Sequence, residues 1–444
     1  MHRQFSARNE DAGFTLIEVV VAMLVFAIIA TGFLMTLTAS MVTTRDTRAR
    51  IVAANLASQQ IDLVRSRDVF DVTSSTRDIT LNGDTFHVAV HASWATSTGS
   101  TATCESAGAT GALSYRQVTV EVTWDNMRAG TPPVYADTSI APDSKINDPS
   151  LGTILVGVID AAGAGVSGAT VSLSPANGIA SVTTDSDGCA YLLKVPPAAS
   201  YTVSITKTGY VSDQQVLSPS AAVSVVAGST SRASFGYDKA TTFTSTYAGG
   251  TPKLPTDLTT SYISTYDSFK LAAATDANPK SVSLFPVSSG YSVVAGAYTE
   301  TPGNPTTSCL APDPGQWIPD GTLVGTRPDP VAGLPGTTVA AAIATGVVQL
   351  ANPNGSGRYV TAVYVGGGAG DPGCGVGMTY KYGTVLTSSS GTGSATLALP
   401  FGTWQLYRGS SAGATTTLIT SGLTVTSTGS VTAGTVLLDP RVAG

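Results

Sequence analysis

Glu18 is the one formal charge in the 24 residues from Phe14 to Leu37. At ~1.5 Å per residue a helix of that length is ~36 Å long, enough to cross a ~30 Å hydrocarbon layer. A carboxylate at the centre of such a layer costs roughly 2.5–3.5 kcal/mol, and less toward the interface. Glu18 stands four residues inside the leading edge, so it pays part of that cost and needs a partner. The chemistry it offers is charge pairing: a carboxylate and an ammonium, each costly in a membrane, cost far less together.

The other chemically suggestive residues fall away one by one. His87 and His91 are four apart, a helical metal spacing. In the strand expected there they share a face about 13 Å apart at ~3.3 Å per residue, too far for one metal. Gly409-Ser410-Ser411-Ala412-Gly413 matches G-x-S-x-G, but a hydrolase elbow needs a later histidine, and the histidines are His2, His87 and His91. Gly368-Ala369-Gly370-Asp371-Pro372-Gly373 matches G-x-G-x-x-G, but Pro372 and the following glycines forbid the helix that would cradle a pyrophosphate. Asp185 and Asp187 lack the third oxygen ligand and the later Glu of a calcium loop and read as turn residues. There is no H-E-x-x-H and no P-loop. No catalytic residue, cofactor or metal site is expected, so the chain is not read as an enzyme. Net charge is −6 with 23 scattered Lys and Arg, so nucleic-acid binding gains no support.

Gly13-Phe14-Thr15-Leu16-Ile17-Glu18-Val19 resembles the processing site of type IV prepilins and of type II secretion pseudopilins. The resemblance implies cleavage by prepilin peptidase after Gly13 and N-methylation of Phe14. It makes Glu18 the filament-assembly carboxylate, neutralising the terminal amine of a neighbouring subunit. Residues 1–13 become a cytoplasmic leader and 14–66 a membrane and assembly helix. The implied partners are the peptidase, the membrane and other pilin or pseudopilin subunits; the implied location is the cell membrane, single-pass, and then a pilus or the cell surface. An ordinary signal anchor with an incidental Glu is the other reading. Flanking charge does not set the orientation: Arg3 and Arg8 are offset by Glu10 and Asp11, while Arg45, Arg48 and Arg50 follow the span. The cytoplasmic N-terminus rests on the resemblance.

Beyond the span, Val52, Ala53, Leu56, Ala57, Ile61, Leu63 and Val64 recur at three- and four-residue steps, giving one apolar stripe along a continuing helix over 38–66. Residues 67–150 read as strands and a linker. Asn82-Gly83 marks a hairpin turn, and Val118, Val120, Val122 and Trp124 share one strand face. The prolines of 128–150 suggest the linker. Residues 151–238 resemble a carboxypeptidase-regulatory, transthyretin-like β-sandwich: Val156-Gly157-Val158-Ile159-Asp160, Val166–Leu173, Thr184–Gly188, Val195-Pro196-Pro197 and Tyr201–Ile205 carry the likeness. Such modules are usually spacers. Residues 239–444 stay β-like, with a second sandwich expected at about 340–440.

The expected fold class is therefore α+β: a long N-terminal transmembrane and amphipathic helix, a pilin-like sheet, then Ig- or transthyretin-like β-sandwiches, mostly antiparallel. Cys104, Cys189, Cys309 and Cys374 allow two disulfides in three connectivities. Cys309 with Cys374 would pin two long loops, leaving Cys104 with Cys189. The expected function is a minor pilin or pseudopilin-like structural subunit. The alternative is a membrane-anchored adhesin or ligand-binding protein that uses its C-terminal modules, with Trp317 or Trp404 available to stack on a glycan if exposed.

Overall fold

The computed structural model describes residues 15–81, 83–96, 101–102, 113–128, 130–142, 148–249, 251–272, 275–297, 313–373, 377–390 and 392–443. These form two compact units that divide after Pro149, with 228–230 counted in the first.

The first unit begins with α1, Leu16–Arg65, one unbroken helix. It contains no proline, and its mid-helix threonines are satisfied locally. The hydroxyls of Thr31, Thr38 and Thr43 donate to the carbonyls of Ala27, Leu34 and Ala39 at 2.7, 2.8 and 2.8 Å. That is how hydroxyls are carried where no water can serve them. The second half of α1 buries Ala49, Ala53, Leu56, Ala57, Gln60, Ile61 and Val64. Leu63, expected on this stripe, is 41% exposed because it falls at the stripe's edge. Gln60 belongs instead, its Oε1 accepting a 2.6 Å hydrogen bond from Arg77 Nη2.

The helix packs on a sheet of β1 (Ser75–Leu81), β2 (Asp84–Thr96), β3 (Thr101–Ala102), β4 (Leu113–Trp124) and β5 (Val134–Ile140). The order is β1-β2-β4-β5, with β3 beside β2, and every neighbour pair is antiparallel. Leu81 pairs with Asp84 across the expected Asn-Gly turn, where Gly83 has φ +83°. Val118, Val120, Val122 and Trp124 do share the buried face, against Phe86, Val88 and Val90 of β2. The proline-rich stretch expected to be a linker instead contains β5. Pro132 and Pro133 precede that strand, where they remove no ladder hydrogen bond.

The second unit opens with a β-sandwich over the expected residues. Its strands are β6 (Gly152–Ile159), β7 (Thr170–Ser174), β8 (Val182–Thr183), β9 (Cys189–Val195), β10 (Ala198–Thr206), β11 (Tyr210–Ser212), β12 (Ser220–Val225) and β13 (Thr230–Lys239). One sheet runs β12-β10-β7-β8 and the other β11-β13-β6-β9. Their inner faces meet in a core that includes Val156, Val171, Leu192, Val203 and Tyr237.

After Lys239 the strand Thr241–Tyr247 lies between Lys280–Leu284, antiparallel, and Thr338–Ile343, parallel. Thr259–Ile263 lies between Ser268–Ala272 and Ser292–Ala295. Two further sheets, built on Gly346–Ala351 and on Tyr359–Tyr364 with Gly402–Gly409, occupy the region expected to hold a second sandwich. They are not separately cored. One apolar cluster runs from Val211 and Phe243 to Trp404 and Leu438. Gln215 ties the sandwich into it: its Nε2 donates to the Tyr291 hydroxyl at 3.1 Å, and its Oε1 accepts from the Phe285 N–H at 2.8 Å.

Candidate functional site

Thr15 and Glu18 close the N-terminal end of α1 as a reciprocal cap. The Glu18 N–H donates to Thr15 Oγ1 at 3.4 Å, while Glu18 Oε2 accepts from the Thr15 N–H at 3.1 Å and the Thr15 hydroxyl at 2.9 Å. Thr-x-x-Glu is the sequence form of this cap. It satisfies helix-end donors and gives the carboxylate two hydrogen bonds within its own chain. Neither contact supplies a positive charge, so among the described residues the anion is hydrogen-bonded without an ion pair. Gly13 and Phe14, the expected cleavage and methylation residues, lie outside the described residues.

From Leu16 to Val42 the helix buries nothing. Leu16 is 83% exposed and Phe26 73%. A naked apolar helix of this length is satisfied only by lipid or by other helices. The same helix, from Ala49 on, is held by its own sheet. The chain therefore presents one rod with two different surfaces. One packs within the subunit; the other is left for surroundings that the subunit does not supply.

The remaining sequence candidates take structural parts. His87 and His91 are both exposed on one face of β2. His87 Nδ1 lies 2.7 Å from Asp78 Oδ1 and Nε2 lies 3.2 Å from Asp125 Oδ1. Those two contacts raise the imidazole pKa above its ordinary value, Asp78 most. His91 sits 3.9 Å from Glu121. No group of three or more His, Cys, Asp or Glu that could hold a metal occurs among the described residues. Asp185 Oδ1 accepts from the N–H groups of Asp187 and Cys189 at 3.0 and 2.8 Å, a turn. Gly188 must be Gly there: its φ is +73°, and a Cβ would stand 2.1 Å from the Val158 carbonyl oxygen.

The Gly368–Gly373 stretch forms a loop, and no helix follows it among the described residues. Asp371 fastens it, accepting hydrogen bonds from the Tyr364 hydroxyl, from Thr403 Oγ1 at 2.6 Å and from the Gly373 N–H at 2.9 Å. Gly409–Gly413 is the end of a strand and a turn. Trp317 and Trp404, the aromatics considered for glycan stacking, are 3% and 0% exposed, which removes them as surface platforms. Trp404 is core, donating Nε1–H to the Pro400 carbonyl at 3.0 Å. Trp317 is covered by the Arg441 guanidinium, 5.7 Å from the ring centroid. Cys189 is disulfide-bonded. Cys104, Cys309 and Cys374 lie outside the described residues, and so does the expected Cys309–Cys374 bridge.

Two segments match known family models. Residues 8–34 match the prokaryotic N-terminal methylation motif, and residues 153–236 match the carboxypeptidase regulatory-like domain. Comparison with curated proteins gives no match. Among solved structures, the Bacillus anthracis TIE protein aligns at 11% identity over 76% of this chain and 69% of its own, with a TM-score of 0.19. The streptococcal ancillary pilin aligns at 10% identity over 51% and 75%, with a TM-score of 0.17. BcpA, the major pilin subunit of Bacillus cereus, aligns at 10% identity over 38% and 70%, with a TM-score of 0.14. Superpositions this loose carry no inference. The two matched segments do: the chain carries a prepilin-type methylation motif at the head of an apolar helix, and a carboxypeptidase regulatory-like domain further on.

Proposed function

We propose that this chain is a minor pilin or pseudopilin-like structural subunit. Prepilin peptidase would cut after Gly13, and the new terminus, Phe14, would be methylated. The exposed half of α1 would hold the subunit in the membrane, N-terminus inside, and later pack among the helices of a type IV pilus or related filament. Glu18 would neutralise the terminal ammonium of a neighbouring subunit. The second unit would be displayed outside as a β-rich head.

The observation that carries this reading is the juxtaposition at the start of α1. A matched methylation motif leads directly into a helix whose first half is apolar and unburied and whose second half is fixed to a sheet. A simple anchor needs the span alone. It needs neither a carboxylate at this depth nor a rigid continuation into a folded domain.

Glu18→Gln tests the charge without breaking the cap, because Gln at this position can still accept from the Thr15 N–H. The expected result is normal membrane insertion with filament incorporation lost. Incorporation at the wild-type level would overturn the assembly role.

A further inference from the structure

We propose that His87 is a proton-operated clasp: charged, it fastens the turn between β4 and β5 to the exposed face of the sheet, and neutral, it lets that turn go. On the β1 side Asp78 lies directly opposite His87 in register, and on the β4 side Thr123 does. His87 Nδ1 is 2.7 Å from Asp78 Oδ1, and Nε2 is 3.2 Å from Oδ1 of Asp125, where the turn begins. A carboxylate only accepts hydrogen bonds, and both ring nitrogens carry a proton only in the imidazolium. The two contacts are therefore hydrogen bonds together only while His87 is charged.

Loss of the proton breaks one of them. The shorter contact, to Asp78, keeps the remaining N–H. The bare Nε2 lone pair is then turned on the Asp125 carboxylate, and Asp125 moves into water. All three side chains are open to water, so protons reach the clasp without unfolding of the sheet. Asp78 and Asp125 also favour the charged ring, which extends the closed form above the ordinary histidine range. The other charged groups nearby are engaged elsewhere. His91 lies 3.9 Å from Glu121, Asp137 accepts from the Thr119 hydroxyl at 2.6 Å, and Asp84 pairs with Arg45.

What the clasp governs is the turn at residues 125–128. Its start is tied to β2 through the backbone, the Asp125 N–H donating to the Thr85 carbonyl at 3.0 Å. Its far end carries Arg128, which lies in a groove beside Thr31, Leu34, Thr38 and Val42 of α1. Proton release at His87 thus loosens the connection that lies against the exposed half of the helix. The clasp is built from residues of the sheet and its turns, so it holds or fails independently of filament assembly.

Hydrogen exchange read by mass spectrometry tests this on the full-length chain in detergent micelles, with each rate divided by the intrinsic rate at that pH. Protection of residues 125–128 should fall roughly two- to fivefold between about pH 5.5 and about pH 9, the size of one exposed ion pair. His87→Val should show the lower protection at both pH values. Asp125→Asn should keep the higher protection at both, because an amide accepts from the imidazolium and donates to the neutral ring. His91→Gln, on the same strand and face, should follow wild type. Wild-type protection that does not change with pH overturns the proposal. So does a pH dependence that survives in His87→Val or Asp125→Asn, or one that vanishes in His91→Gln.

Discussion

Lys280→Met should stabilise the second unit at neutral pH, and the gain should disappear in alkali. Lys280 opens the strand Lys280–Leu284, and its Nζ is buried without a hydrogen-bond partner, 5.4 Å from the centroid of the Tyr247 ring. Burial pushes its pKa down from 10.5 to about 8, with Asp276 and Asp257 pulling weakly the other way. The folded state therefore disfavours the charged form. For a base whose folded pKa is depressed, the penalty is complete below about pH 8, shrinks between pH 8 and 10.5, and is gone above. At 1.36 kcal/mol per unit the shift corresponds to about 3.4 kcal/mol at most. Lys280 keeps part of its surface in water, so about 1–2 kcal/mol is expected. Methionine keeps the apolar stem and removes the charge. Urea unfolding of the full-length chain in micelles, followed by tryptophan fluorescence, measures the difference. The transition of the second unit is the one whose amplitude falls in a Trp404→Phe background. The variant should gain about 1–2 kcal/mol at pH 7 and near zero at pH 10.5. A loss at pH 7, or a gain independent of pH, would refute the reasoning.

His87 carries the opposite sign. Its folded pKa is raised by Asp78 and Asp125, so its stabilising contribution is complete below the unfolded pKa near 6.5 and is lost as pH rises through the folded value. An NMR titration should place the His87 midpoint above 6.5, and His87→Gln should flatten the pH dependence of the first unit's melting temperature over that window. Arg408 is fully buried and donates to the carbonyls of Gly357, Pro353 and Ser388 at 2.7, 2.7 and 3.1 Å. Arg408→Leu strands those acceptors and should cost about 3 kcal/mol or more by urea midpoint. Asp371→Ala frees the Gly368–Gly373 loop, and limited proteolysis should then cut there first.

What the sequence revealed depended on whether the signal was local. The stripe on α1 and the alternation of Val118, Val120, Val122 and Trp124 repeat within a few residues, so both elements and their buried faces were legible. The strand Val134–Ile140 was masked by Pro132 and Pro133, which sit at its entrance and break nothing. The region after Lys239 was harder for a different reason. Thr242 pairs with Ser283 on one side and Thr338 on the other, and no local pattern names partners so far away. Buried polar groups were the least visible. Arg408 and Arg441 read as scattered surface charge, yet one is clasped by backbone carbonyls and the other by Asp439 and the Ile318 and Ala369 carbonyls. Trp317 looked like a loop aromatic until the Arg441 guanidinium was found to cover it. At the candidate site, the motif disclosed Glu18 but not its reciprocal hydrogen bonds with Thr15, although Thr-x-x-Glu is itself a capping signal.

The most direct test of the central claim is the mass of the N-terminal peptide of the protein purified from its own cells. The account requires a chain that starts at Phe14 and carries one extra methyl group. An intact Met1, or a terminus anywhere else, would contradict it and leave Glu18 as nothing more than the cap of an anchoring helix.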